Sequence, residues 1–123
     1  LADERGSAHD AVAEADAVLK LLRLRLEKLR LELGDDHAST LGCMSELAAR
    51  YHGRAVHEDS EKLWREHLQT CRSKLGDDDE YTLSSVHHLA AVLEDQGRLA
   101  EAEPLYRETL DKRRSRLGHD HSD

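Results

Sequence analysis

Leu33-Gly34-Asp35-Asp36 returns as Leu75-Gly76-Asp77-Asp78 and again as Leu117-Gly118-His119-Asp120, at a constant spacing of 42 residues. Between these phrases the register holds without a gap. Thr40-Leu41 answers Thr82-Leu83, Leu47-Ala48-Ala49 answers Leu89-Ala90-Ala91, and Leu63-Trp64-Arg65-Glu66 answers Leu105-Tyr106-Arg107-Glu108. So many matches at one spacing mark an internal repeat, each period being a supersecondary unit that buries its apolar face only against its neighbours.

Each period reads as two helices and a loop, which predicts an all-α array of antiparallel helix pairs, about five helices in total. Unit one spans 38–75 and unit two 80–117, while 118–123 opens a third unit that is cut short. In unit one the first helix runs from about Ala38 to His52, with Met44, Leu47, Ala48 and Tyr51 at helical spacing. The second runs from about Val56 to Leu75, with Leu63, Trp64, Leu68, Cys71 and Leu75 inward. Unit two repeats the pattern with Val86, Leu89, Ala90 and Leu93, then Leu99, Ala102, Leu105, Tyr106 and Leu110.

The loops carry matching stop and start signals. Gly34, Gly76 and Gly118 follow basic helix ends and suit left-handed C-terminal caps. The acidic residues that follow offer N-caps and negative charge to the next helix, with His37 and Asp79 at equivalent capping positions. Unit one has Ala55 where unit two has the turn residue Gly97, and Gly53 is expected to take over the turn there. It also has Ser60 in place of the small packing residue Ala102. Pro104 falls near the first turn of its helix, where a missing N–H costs least.

Upstream, a helix from about Ala8 to Leu33 is the second helix of a preceding, partial unit, since Leu21, Leu26 and Leu33 map onto Leu63, Leu68 and Leu75. Gly6-Ser7 is expected to be the turn before it. Leu19, Leu22, Leu26, Leu29 and Leu33 form one face and Leu21, Leu24 and Leu31 a second, so neighbours are expected on two sides.

Composition narrows the function classes. The chain has no Phe, one Trp and three Tyr, so Leu and Ala must fill the core. A net charge of −8 argues against nucleic acid as a partner, because phosphate contacts need a basic surface. The local clusters Arg23/Arg25/Lys28/Arg30 and Lys112/Arg113/Arg114/Arg116 lie toward helix C-termini, where cations offset the helix dipole. No apolar run approaches the roughly 18 residues of a membrane span, and no secretory signal pattern opens the chain. Two cysteines, Cys43 and Cys71, are read as buried thiols and make no disulfide framework, which fits a cytoplasmic location.

No nucleophile motif or phosphate loop is present, and Asp35/Asp36 and Asp77/Asp78 recur with the repeat as capping residues, so the chain reads as a non-enzyme without cofactor. Nine histidines invite a metal site. However, His87-His88 are adjacent and diverge, His52 and His57 straddle a turn, and His119-x-His121 sits in a terminal loop. None has structural-zinc spacing, and no metal is expected.

The run Leu89-Ala90-Ala91-Val92-Leu93 to Gly97-Arg98-Leu99-Ala100-Glu101-Ala102-Glu103-Pro104-Leu105-Tyr106 strongly resembles tetratricopeptide repeats. With Leu33-Gly34-Asp35-Asp36-His37 it resembles, more narrowly, the 42-residue variety of kinesin light chains and many bacterial multi-repeat proteins. The resemblance covers about Leu33 to Asp123. It implies a right-handed solenoid whose first helices line a concave face: Ser45, Glu46, Ala49 and His52 in unit one, and Ser84, His87, His88, Ala91 and Glu94 in unit two. It also implies that an extended peptide or protein segment is gripped there. Where the kinesin-light-chain type often carries Asn, this chain has Ser45, Glu46, His87 and His88. Glu46, Glu94 and Asp95 favour a basic or amide-rich segment.

Two function classes follow. One is a partner-binding scaffold within a larger regulatory or signalling protein, consistent with an ending in mid-pattern. The other is a homo-oligomerisation module that uses the Leu-rich first helix and the uncapped last helix.

Overall fold

A computed structural model describes residues 2–120, with side chains at 10–117. Five helices follow one another: α1 Ala2–Leu33, α2 Ala38–Gly53, α3 His57–Leu75, α4 Glu80–Asp95 and α5 Leu99–Asp120. Among the described residues there is no strand. Each helix packs chiefly against its neighbours in sequence, as short loops between antiparallel helices require. The result is an all-α solenoid of helix pairs, α2–α3 and α4–α5, with α1 packed on α2.

Two apolar clusters hold the stack. Leu19, Leu22 and Leu26 of α1 meet Cys43, Met44, Leu47 and Tyr51 of α2. Ala48, Trp64 and Leu68 meet Val86, Leu89, Ala90, Val92 and Leu93 of α4 and Ala102 of α5. Leu63 packs against both clusters. Ala48 and Ala90, equivalent in the repeat, are fully buried, because small side chains there let helices approach closely. Ser60 buries its hydroxyl where unit two has Ala102 by donating to the Ala48 carbonyl at 2.8 Å, which satisfies the extra polar atom.

The caps follow the expected chemistry. His37 Nδ1 accepts from the Ser39 N–H at 3.1 Å, and Asp79 Oδ1 accepts from the Tyr81 N–H at 2.8 Å. Gly34 and Gly76 end their helices at φ of 89° and 91°. The loops are tied down by ion pairs that themselves repeat. Arg30 binds Asp35 at 3.0 Å and Arg72 approaches Asp77 at 3.3 Å. Lys74 donates to the Asp36 carbonyl, and Arg116 to the Asp78 carbonyl. The basic helix ends thus join neighbouring repeats as well as facing the helix dipole.

Several expectations are corrected. The turn of unit one does not use Gly53, which is the last residue of α2; Ala55 itself takes φ 60°, matching Gly97 at 78°. The α3 helix, by contrast, begins as expected, at His57 with Val56 at its N-cap. The α1 helix runs through Gly6 and Ser7, where a turn was expected; a single helical Gly costs only about 1 kcal/mol, which the long flanking helix absorbs. The α5 helix continues through Gly118 to Asp120. There the repeat places His119 where Asp35 and Asp77 bind their arginines, so the loop-forming carboxylate is missing. Pro104 lies in the second turn of α5, where it forgoes a bond to the carbonyl of exposed Ala100.

Burial also departs from the apolar pattern at helix ends, at Leu110 in the middle of α5, and on α1. Leu33, Leu75, Leu99 and Leu110 are exposed, and the second face of α1 is open, with Leu21, Leu24 and Leu31 65%, 55% and 82% exposed. Among the described residues α1 packs extensively only on α2, so that face meets no second helix.

Candidate partner-binding groove

The first helices of the two units, α2 and α4, stand side by side against α3 and turn their polar faces outward. All nine residues expected on the concave face are exposed or half-buried. Five of them, Ser45, Glu46, Ala49, Ser84 and His88, line one cavity of about 320 Å³. Its floor is Trp64, His67 and Ser85, and Tyr81 forms a wall. A second cavity of about 350 Å³ adjoins it, sharing Ser45, His67 and Tyr81, with Leu41, Cys71 and Leu75 as apolar lining. The groove therefore has a polar stretch beside Glu46 and His88 and an apolar recess beside Leu41 and Tyr81.

The remaining four positions lie outside these linings, three of them toward the C-terminal ends of the helices. His52 Nε2 is paired with Asp95 Oδ2. Burial first, and then the neighbouring Glu94 carboxylate, raises the Tyr106 phenol above its ordinary pKa. The His87 ring packs edge-on against Tyr106 with centroids 5.3 Å apart. Ala91 is half-buried.

The histidines divide into structural and accessible groups. His67 is buried, with Nδ1 3.0 Å from Ser85 Oγ and 3.7 Å from Cys71 Sγ. Burial, with a smaller push from His88, lowers its pKa, which favours the neutral ring. His88 lies flat on Trp64, centroids 4.5 Å apart and planes at 8°, and burial of that face together with His87 and His52 lowers its pKa as well. The large Trp64, at the position of Tyr106, is thus the platform for a groove histidine. Both cysteines are buried free thiols, pushed up in pKa by burial.

Trp64, His67, Leu41 and Tyr81 were not anticipated as groove residues. One signal was readable for Tyr81. It sits two residues past the cap Asp79 and off the stripe Val86-Leu89-Ala90-Leu93, so an aromatic there had no core to enter and is 74% exposed. The other three belong to the repeat's packing pattern, and only the gap between α2 and α4 exposes their edges.

The family model described as Tetratricopeptide repeat matches residues 40–81 and 82–123, two adjoining stretches with the period read from the sequence. The chain belongs to the tetratricopeptide repeat family. This TPR array also superposes on a Podosopora anserina protein assigned as a kinesin light chain, with nearly identical TPR-like repeats. The TM-score is 0.75 at 20% identity, covering 89% of this chain and 52% of that one. A single-substitution variant of that protein gives 0.75 at 21% identity over 90% and 52%. At such identity the likeness is one of fold, and the TPR array spans about half the length of the structures it matches. No curated protein matches the chain. Among the described residues no helix is long and apolar enough to cross a membrane.

The structure brings together one further set of side chains that their spacing in sequence had set aside. His52, His57 and Asp95 meet at the end of the groove, on three different helices.

Proposed function

We propose that this TPR array is a non-enzymatic scaffold, part of a larger cytoplasmic regulatory or signalling protein, that binds an extended segment of another protein along the α2–α4 face. TPR repeats in general mediate protein–protein interaction. The observation that carries the reading here is the cavity that five of the nine concave-face residues line together, continuous with the apolar recess at Tyr81. A segment that fits carries an apolar side chain for the recess and, along the strand from it, a basic or amide group for Glu46. The acidic pairs need no catalytic role, since Asp35 and Asp77 already bind Arg30 and Arg72.

The test is calorimetric titration with two extended peptides of equal length, one alternating Leu and Lys and the other Leu and Glu. The basic peptide is expected to bind more tightly. Tyr81→Ala should weaken it about tenfold or more, the scale of an aromatic anchor, and a His87→Ala/Glu94→Gln double variant should also weaken it. Tighter binding of the acidic peptide overturns the charge assignment, and indifference to Tyr81→Ala overturns the groove.

A second reading has its own observation, the open stripe Leu21, Leu24 and Leu31 on α1. If this face closes on another copy, light scattering will show a concentration-dependent dimer or larger species that Leu21→Gln/Leu24→Gln/Leu31→Gln abolishes and Tyr81→Ala does not. A monomer at every concentration removes the assembly reading.

A further inference from the structure

We propose that His52, His57 and Asp95 form a site for one divalent transition-metal ion, zinc by its donor chemistry, that ties the α2–α3 turn to the end of α4. Each residue offers one donor atom, and the three atoms lie within 4.8 Å of one another. Zinc held by bonds of about 2.0–2.2 Å in tetrahedral array sets its donors roughly 3.3–3.6 Å apart. Side-chain adjustments on the order of 1 Å would reach that spacing, with His52 and Asp95 moving apart and His57 moving in.

The backbone holds the three in place. His52 is the penultimate residue of α2, His57 the first of α3 and Asp95 the last of α4. The left-handed residue Ala55 makes the intervening turn tight enough to bring the two imidazoles to a centroid separation of 6.0 Å. His52 Nε2 is already in contact with Asp95 Oδ2. His57 Nδ1 is buried and, among the described residues, has no hydrogen-bond partner. A buried polar atom left unpaired is costly, and a metal bound at this nitrogen would account for it.

The repeat supplies an independent argument. Features that serve the fold recur at 42 residues, as the caps, loop ion pairs and buried alanines do. Positions equivalent to His52 and His57 are Glu94 and Leu99 in unit two, so the imidazole pair belongs to unit one alone. Packing common to both units does not require it. Two imidazoles and one carboxylate suit zinc; calcium and magnesium prefer all-oxygen shells. Three protein ligands leave one position for water or for a group on a bound partner. The site stands whether or not the groove binds a peptide.

The experiment is titration of the chelator-stripped 123-residue chain with Zn²⁺ by calorimetry. The expected result is saturable binding of one ion per chain. His57→Gln and Asp95→Asn should each weaken it at least about tenfold, since even outer-shell partners of metal ligands cost 10–100-fold. His119→Gln/His121→Gln, which removes the terminal histidines, should leave that ion bound. Circular dichroism confirms that each variant keeps its helix content, and Asp95→Asn preserves both shape and exposure. Absence of saturable binding overturns the proposal. So does binding that survives both site variants and disappears when the terminal histidines are replaced.

Discussion

Ala55 and Gly97 stand 42 residues apart at the same turn, at φ of 60° and 78°. An L-residue in the left-handed region costs roughly 1–2 kcal/mol, against about 0.4–1 kcal/mol for the extra chain entropy that a glycine must lose. Ala55→Gly is therefore expected to raise stability by about 0.5–1 kcal/mol in urea unfolding. Gly97→Ala should lower it by about 1 kcal/mol, since a Cβ at Gly97 meets nothing within 4 Å and only backbone strain opposes it. Equal effects of the same sign at the two positions would contradict this account. Ala55 adopts the conformation because the bonds of Arg54 to the Arg50 carbonyl and Val56 to the Tyr51 carbonyl impose it regardless of residue type.

The helices are joined by a polar ladder that the repeat builds twice. Arg30 of α1 grips Glu66 of α3 with bonds of 2.5 and 2.9 Å. Arg72 of α3 grips Glu108 of α5 at 3.0 and 3.2 Å. The burial of Arg30 is partial, and its bond to Glu66 holds its pKa above the ordinary value. The Arg72–Glu108 pair stays accessible to solvent, at 38% and 27% side-chain exposure, so screening limits what it contributes. A double-mutant cycle with Arg72→Ala and Glu108→Ala should give a coupling of about 0.5–1 kcal/mol that shrinks at high salt. A coupling of zero would leave the ladder as a consequence of the stacking with no part in its stability. At this scale the second face of α1 also finds its place. Leu24 and Leu31 occupy the repeat positions of Glu66 and Ser73, so α1 is apolar where later helices are polar.

For the whole molecule, stability should grade along the stack, because α4 is enclosed by α3 and α5 while α1 has one extensive neighbour. Side chains at 10–17 are exposed apart from half-buried Ala15, whereas Leu89, Ala90, Val92 and Leu93 are at most 2% exposed. Hydrogen exchange should find the amides of 10–17 opening at low free energy and those of Leu89 to Leu93 only at the global stability. Uniform protection across α1 and α4 would show that α1 is covered in solution.

The 42-residue register, helix pairing, caps and most of the core were legible in the sequence, because periodic burial and loop chemistry act over a few residues and repeat. Met44, Leu47, Ala48, Val86, Leu89 and Ala90 are all buried as their spacing implies. The exposed faces were less legible. The family resemblance implied one surface for Ser45, Glu46 and His88, but only the packing of α2, α3 and α4 brings Tyr81, Leu41 and His67 into the adjoining cavities. Likewise His52, His57 and Asp95 carry no recognisable spacing, since they come together across three helices. A helix's own period is a local property of the chain. Which side chains meet between helices depends on loop length, turn conformation and the angle of the stack, and those are settled only when the whole array packs.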